Sequence, residues 1–286
     1  MSLLALLALV SLIVVGLAVP TCAVCGVNPL VLLRERGELR ARAIEVSPYV
    51  AVLGAVYLFN RWSHAGGQRV SEAVGLHITD ALYAVEGDFV AALQAAIPPG
   101  LTGYFSFVYL FGFTFLLVFP ILAYLVHPAR RPLKELFVAY AVNYGVGAVC
   151  YVLFVAQGPR KVLATVGAPM FERYPEVVTL TAAVNTSTNV FPSLHTSLAV
   201  TVALFAWRTR ARYRPWAWLA TFLAANVLVA TMYLGIHWLV DVVAGVVLAV
   251  ASVLIALTVV RADEGERDGE RAGGAARAVE SASAGD

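Results

Sequence analysis

The chain has 286 residues, of which 60% are hydrophobic and only 13% charged, with a mean hydropathy of +0.79. A soluble domain is about 45–50% apolar, so this is an integral membrane protein. The formal net charge of +2 offers no basic footprint for nucleic acid, and three cysteines are too few and too odd in number for a disulfide framework.

Leu3 to Val19 is an uninterrupted apolar run ending at Pro20. It lacks the basic leader of a cleaved signal peptide and reads as a retained first span. Cys22 and Cys25 follow with no neighbouring histidine to complete a metal site. A redox or zinc role and a role as small apolar residues at a helix end both stay open for them. A basic-acidic loop, Arg34 to Arg42, leads to a second candidate span, Ala43 to Phe59, which is near the lower length limit and has Glu45 and Pro48 at its start. From Arg61 to Pro99, Leu76, Ile78, Leu82, Val85, Phe89 and Leu93 recur at roughly helical spacing among Asp80, Glu86 and Asp88. That pattern suits an amphipathic helix at the membrane surface or an extramembrane cap packed on the protein.

Leu101 to Val126 is a third span rich in Phe and Tyr, separated by Arg130, Arg131 and Lys134 from a fourth, Leu136 to Ala156. After Gly158-Pro159-Arg160-Lys161, a mixed loop runs to Asn189 and carries the glycosylation sequon Asn185-Thr186-Ser187. A fifth span runs from near Phe191 to Trp207, and a basic turn follows with Arg208, Arg210, Arg212 and Arg214. Trp216 to Leu234 is the sixth span, Gly235 to His237 a very tight turn, and Trp238 to Val260 the seventh. Beyond Arg261 the tail has no periodicity and reads as disordered. The expected fold is an all-α polytopic bundle of about seven transmembrane helices, six if the second candidate fails. Its expected parts are N-terminal spans with the interfacial segment (1–100), a catalytic transmembrane domain (101–260) and the tail (261–286).

The side of a membrane rich in Arg and Lys is usually cytoplasmic. Seven spans put 15 of the 20 basic residues on one side, in the loops around Arg34 to Arg42, Arg130 to Lys134 and Arg208 to Arg214 and in the tail. The N-terminus is then outside and the tail cytoplasmic, as expected in a cell membrane. Arg160 follows the fourth span, His195 opens the fifth and His237 closes the sixth, so all three fall on the non-cytoplasmic face.

His237 and Asp241 are four residues apart, one helical turn, so the carboxylate can hold and polarise the imidazole. An ionisable residue at the bilayer centre costs roughly 2.5–3.5 kcal/mol, which asks for a functional partner. Two histidines and an arginine at one depth suit phosphoryl transfer: one imidazole attacks phosphorus, the other protonates the leaving oxygen. Arg160 supplies a planar fork, Ser193 a hydroxyl, and the start of the fifth span a helix N-terminus that favours anions. A metal site made from His195, His237 and Asp241 stays open. His64, His77 and His127 read as hydrogen-bonded interface residues.

The pair Pro192-Ser193-Leu194-His195 and His237-x3-Asp241 resembles the motifs of the type 2 phosphatidic acid phosphatase (PAP2) superfamily, Pro-Ser-Gly-His and Ser-Arg-x5-His-x3-Asp. The resemblance covers about Arg160 to Gly245. It implies that His237 is the nucleophile that forms a phosphohistidine, that Asp241 orients it, that His195 is the acid for the leaving group and that Ser193 binds phosphate. It also implies a lipid phosphate or phospholipid substrate and chemistry that needs no metal or cofactor. Leu194 replaces the glycine of the second motif, Thr231 stands where the third would place its arginine, and the first motif, Lys-x6-Arg-Pro, is absent as written. Arg160 is assigned as its equivalent, with Lys161 as a second cation. Phe191-Pro192-Ser193-Leu194-His195, with Gly158-Pro159-Arg160 before it and a Tyr-x3-His before the final aspartate, is more similar to the branch that includes inositol phosphorylceramide synthases, which pass the phospho-group to an alcohol. A transporter or binding protein for an anionic lipid, with Arg160 and the histidines as a proton-linked site, is the alternative from another class.

Overall fold

The computed structural model describes residues 3–34, 36–175 and 190–283. The apolar helix α1 (Leu3–Cys25) is followed by a short turn of helix, α2 (Val31–Arg34), and the 39-residue α3 (Arg36–Val74). A short strand, β1 (Leu76–His77), leads into α4 (Thr79–Glu86) and α5 (Phe89–Ala96). The third span is built from α6 (Thr102–Phe107), a π-helical turn at Val108–Gly112 and α7 (Phe113–Leu125). Next come α8 (Arg131–Leu153), β2 (Phe154–Val155), α9 (Pro159–Val162) and α10 (Pro169–Arg173). The chain closes with α11 (Leu194–Arg208), α12 (Arg214–Tyr233) and α13 (Leu239–Ser283), the last continuing through the residues read above as a tail.

Among the described residues, six helices are long and apolar enough to cross a membrane, and the second candidate is one of them, as Gly37–Phe59 within α3. The segment that falls short is the fifth. The apolar run from Phe191 includes Pro192 and Ser193, and Ser193 is the N-cap, so α11 has only 15 residues. At 1.5 Å per residue that is about 22 Å, less than the ~30 Å of hydrocarbon. This helix instead fills the middle of the bundle, with Ala199, Val202, Phe205 and Ala206 fully buried. Around it, Phe115, Phe119 and Trp216 pack ring against ring, Phe119 and Trp216 at 4.5 Å.

The stretch from 61 to 99 is not one amphipathic helix. α3 runs on to Val74, and after β1 come two short helices broken at Gly87-Asp88, which pack on the bundle as a cap. Leu82 of α4 joins Ala156, Val190 and Trp238 in a small apolar cluster. β1 pairs in parallel with β2, Leu76 opposite Phe154 and His77 opposite Val155. The N-terminal segment is thereby tied to the loop that carries Arg160.

The far end of the bundle is ionic. Glu38 meets Arg42 and Arg130 at 2.9 Å, Glu45 meets Arg130 and Lys134 at 2.6 Å, and Lys134 reaches Glu264 at 3.3 Å. Glu135 pairs with Arg131 at 2.7 Å and Arg208 at 3.5 Å. Residues from three basic loops and the start of the tail therefore share one end, and the Gly235 turn lies at the other.

Candidate active site

The site is built where α12 stops and α13 starts. Gly235, at φ +69°, ends α12, a backbone conformation that L side chains rarely adopt. Its amide bonds the Met232 carbonyl at 2.8 Å and that of Ile236 bonds the Thr231 carbonyl at 3.0 Å, the paired bonds of a Schellman cap. A Cβ on Gly235 would lie 2.8 Å from the Gly167 carbonyl oxygen and 2.9 Å from Arg160 Cβ, so the turn admits the Arg160 loop only because this residue has no side chain. The Arg160 amide donates to the Gly235 carbonyl at 3.2 Å. Four residues on, α13 begins at Leu239, and Asp241 Oδ2 accepts the Trp238 amide at 2.8 Å, the carboxylate half of a capping box. His237 is held between the two caps.

His237 and Asp241 are both buried, and Nδ1 lies 3.5 Å from Asp241 Oδ2. Burial pushes the His237 imidazole down to about 3; the Val190 carbonyl, which hydrogen-bonds it, acts the other way, and the Arg160 charge lowers it further. The ring is therefore neutral near pH 7, and its contact with Asp241 is not an ion pair in that state. His237 Nδ1 and Asp241 Oδ1 are buried and make no hydrogen bond within the protein.

Ser193 is fully buried, and its hydroxyl accepts the Thr196 amide at 3.3 Å, so it caps α11. Its own amide donates to the Asp241 carbonyl at 3.1 Å, which joins the two motifs backbone to backbone. At the second residue of the helix, the His195 ring stands 6.1 Å from that of His237, centroid to centroid. Tyr109 of the π-helical turn stacks on His195 at 4.6 Å and Phe113 meets it at 4.5 Å. π-helical turns inside α-helices recur at functional sites.

Arg160 stands over the Phe171 ring, with its guanidinium carbon 4.3 Å from the centroid. Its Nη1 is buried without a hydrogen-bond partner in the protein, and burial lowers its pKa. Lys161, the other cation assigned from sequence, is exposed and its side chain is not brought to the two histidines by any described contact. His127 meets its expectation, since Nδ1 accepts the Ala129 amide at 3.0 Å. The His77 side chain is exposed, while the sequon and the His64 side chain lie outside what is described. Cys22 and Cys25 are buried free thiols near the end of α1. Among the described residues no group of three or more His, Cys, Asp or Glu side chains is placed to hold a metal ion.

Leu194 and Thr231, the departures within the second and third motifs, each have a structural counterpart. Leu194 packs against Gly147 of α8, where a Cβ would come within 2.7 Å of the leucine side chain. The bulk missing on α8 is the bulk present in the motif. Thr231 is buried; its hydroxyl donates to the Leu228 carbonyl at 2.8 Å and its carbonyl caps the end of α12. Sequence reasoning missed Tyr109 and Phe113, whose signal was only that the third span is aromatic-rich, and Phe171, which lies in the mixed loop after the fourth span and gave no signal, and it gave Glu86 no role in the site.

A family model described as PAP2 superfamily matches residues 77–255, more than half of the chain. The chain belongs to the PAP2 superfamily. The match begins in β1, so the PAP2 region includes α4 and α5, which precede the motif-bearing stretch from Arg160 to Gly245. No curated protein and no solved structure matches the chain. The PAP2 superfamily generally comprises phosphatases and phosphotransferases, and membership supports a phosphatase-type activity on lipid phosphates.

Proposed function

We propose that this chain is a membrane-embedded phosphatase or phosphotransferase that takes a phosphoryl group from a lipid onto His237. The observation that carries this reading is the approach of the His195 and His237 rings to 6.1 Å at one end of the bundle, with Asp241 behind His237. A neutral His237 attacks phosphorus, the bond from phosphorus to the lipid oxygen breaks, and His195, which enters this step as the imidazolium beside the bound anionic phosphate, gives that oxygen its proton and is left neutral. The phosphorylated ring is cationic, and Asp241 at 3.5 Å then faces a positive charge instead of a neutral one. Arg160, with Nη1 unpartnered, and the α11 N-terminus bind the non-bridging oxygens. Water, or an alcohol in the manner of the inositol phosphorylceramide synthase branch, then attacks the phosphohistidine and returns a proton to His195. The site faces the non-cytoplasmic side, within reach of headgroups in that leaflet.

His237→Ala and His195→Ala are each expected to abolish phosphate release from lipid phosphates in purified protein that elutes and melts like the wild type. Full activity in either variant would sink the assignment. Product masses with and without an alcohol acceptor separate hydrolysis from transfer.

A further inference from the structure

Glu86 is the last residue of α4, far in sequence from every motif of the site. Its Oε2 accepts the Val240 amide at 3.1 Å, and the Leu239 amide also donates to this carboxylate. These amides belong to the first turn of α13, where helix donors have no partner of their own. Asp241 already serves the preceding amide, that of Trp238. The work at this helix end is thus divided between two carboxylates: Asp241 takes one amide from within the helix, and Glu86 takes the next two from outside it.

The second Glu86 oxygen, Oε1, is buried and makes no hydrogen bond within the protein. A glutamate at the end of a short cap helix could turn outward into water, and burying an unpartnered oxygen costs free energy. This one points inward, and α4 is built to keep it there. Leu82 packs with Trp238, and the Tyr83 ring lies 6.3 Å from the Trp238 ring. The Trp238 indole donates to the Gln157 carbonyl at 2.8 Å, so the residue between His237 and α13 is held on several sides.

We infer that Glu86 is a positioning residue for the His237–Asp241 pair, acting by holding the Leu239 and Val240 amides. It rests on the phosphohistidine reading above. With those amides satisfied from α4, the Asp241 carboxylate stays beside His237; without Glu86 they compete for the Asp241 oxygens and draw them away from the ring. Burial raises the Glu86 carboxyl above its ordinary value, the two amides oppose this, and the neighbouring Asp241 charge adds to it. A neutral glutamine with its carbonyl in the same place is therefore a close mimic.

The test uses the whole protein in detergent. Glu86→Ala is expected to lower kcat for phosphate release at least about tenfold with KM within about twofold, as for a misplaced catalytic group. Glu86→Gln, which keeps an acceptor oxygen, is expected to retain kcat to within about threefold of the wild type. A wild-type kcat in Glu86→Ala overturns the inference. So does an equal loss in Gln and Ala, because the charge and not the acceptor would then matter. Should Glu86→Ala not fold, Glu86→Asp, with a carboxylate that stops one methylene short of the amides, takes its place with the same expected loss. Amide exchange across residues 238–241 supplies an arm independent of turnover: it should quicken in the Ala or Asp variant and not in Gln, and unchanged exchange overturns the inference. A wild-type protein that releases phosphate from no lipid phosphate would overturn the phosphohistidine reading instead, leaving the exchange to decide the role of Glu86.

Discussion

The His237 ring is buried in the turn between α12 and α13, and desolvation holds its pKa at about 3, against about 6.5 in an unfolded chain. Between those values the unfolded state binds a proton that the folded state does not. Stability from this residue is therefore complete above pH 6.5 and is lost as pH falls toward 3, with a limiting slope of about 1.4 kcal/mol per pH unit. In detergent, the melting temperature of the wild type should fall more steeply from pH 6.5 to pH 4 than that of His237→Gln, and parallel curves would refute a depressed pKa. The same neutrality suits a nucleophile, since only the unprotonated ring has a lone pair to offer. Ser193 shows how one residue type admits two readings: the hydroxyl expected to bind phosphate accepts the Thr196 amide as an N-cap. The cap also sets where α11 begins, and with it the position of His195 in the first turn.

Between elements, the informative contact is α8 against α11. A glycine in the second motif would leave room that this protein does not need, because Gly147 receives the Leu194 side chain. Gly147→Ala places a methyl within 3.0 Å of three Leu194 carbons, and overpacking of this kind costs about 1–3 kcal/mol. Leu194→Ala in the same chain should recover much of that loss. Melting temperatures of the two single variants and the double variant test the coupling, and additive losses would mean that the two residues do not meet. Deeper in the same interface, Asn143 of α8 donates to Thr201 at 3.2 Å and accepts the Ser197 hydroxyl, which ties the short central helix to its long neighbour by polar contacts. The α4 to α13 contact works differently. It places side chains of a cap helix on the first turn of the helix that carries Asp241.

On the scale of the whole bundle, a network of ion pairs stands at one end and the His195–His237 pair at the other. Lys134 is buried between Glu45 and Glu264, and Arg130 holds Glu38 and Glu45, so the ionic end binds α3, the loop before α8, α8 and α13 together. The proposed orientation, from the positive-inside rule, makes this the cytoplasmic end. With the native cysteines replaced, Gln157→Cys, exposed beside the site, should react with a membrane-impermeant maleimide on intact cells, and Arg212→Cys, exposed in the basic turn, only after permeabilisation. The reverse pattern would overturn the proposed orientation.

Hydropathy and spacing were enough to read an all-α membrane bundle, its long spans and the pairing of His237 with Asp241, because apolar length and helical period are local properties. Basic loops at regular intervals were enough to place Arg160, His195 and His237 at one end. The limits of that reading are equally local. The short α11, the break at Gly87-Asp88 and the exposed Lys161 depend on caps and packing that no hydropathy window contains. Leu194 looked like a departure from a motif until Gly147, 47 positions away, lay against it. Only the tertiary structure could bring Tyr109 and Phe113 onto His195, Phe171 under Arg160 and Glu86 onto the amides of α13. Each of these contacts joins residues from different helices, and no periodicity along the chain encodes which helix faces which.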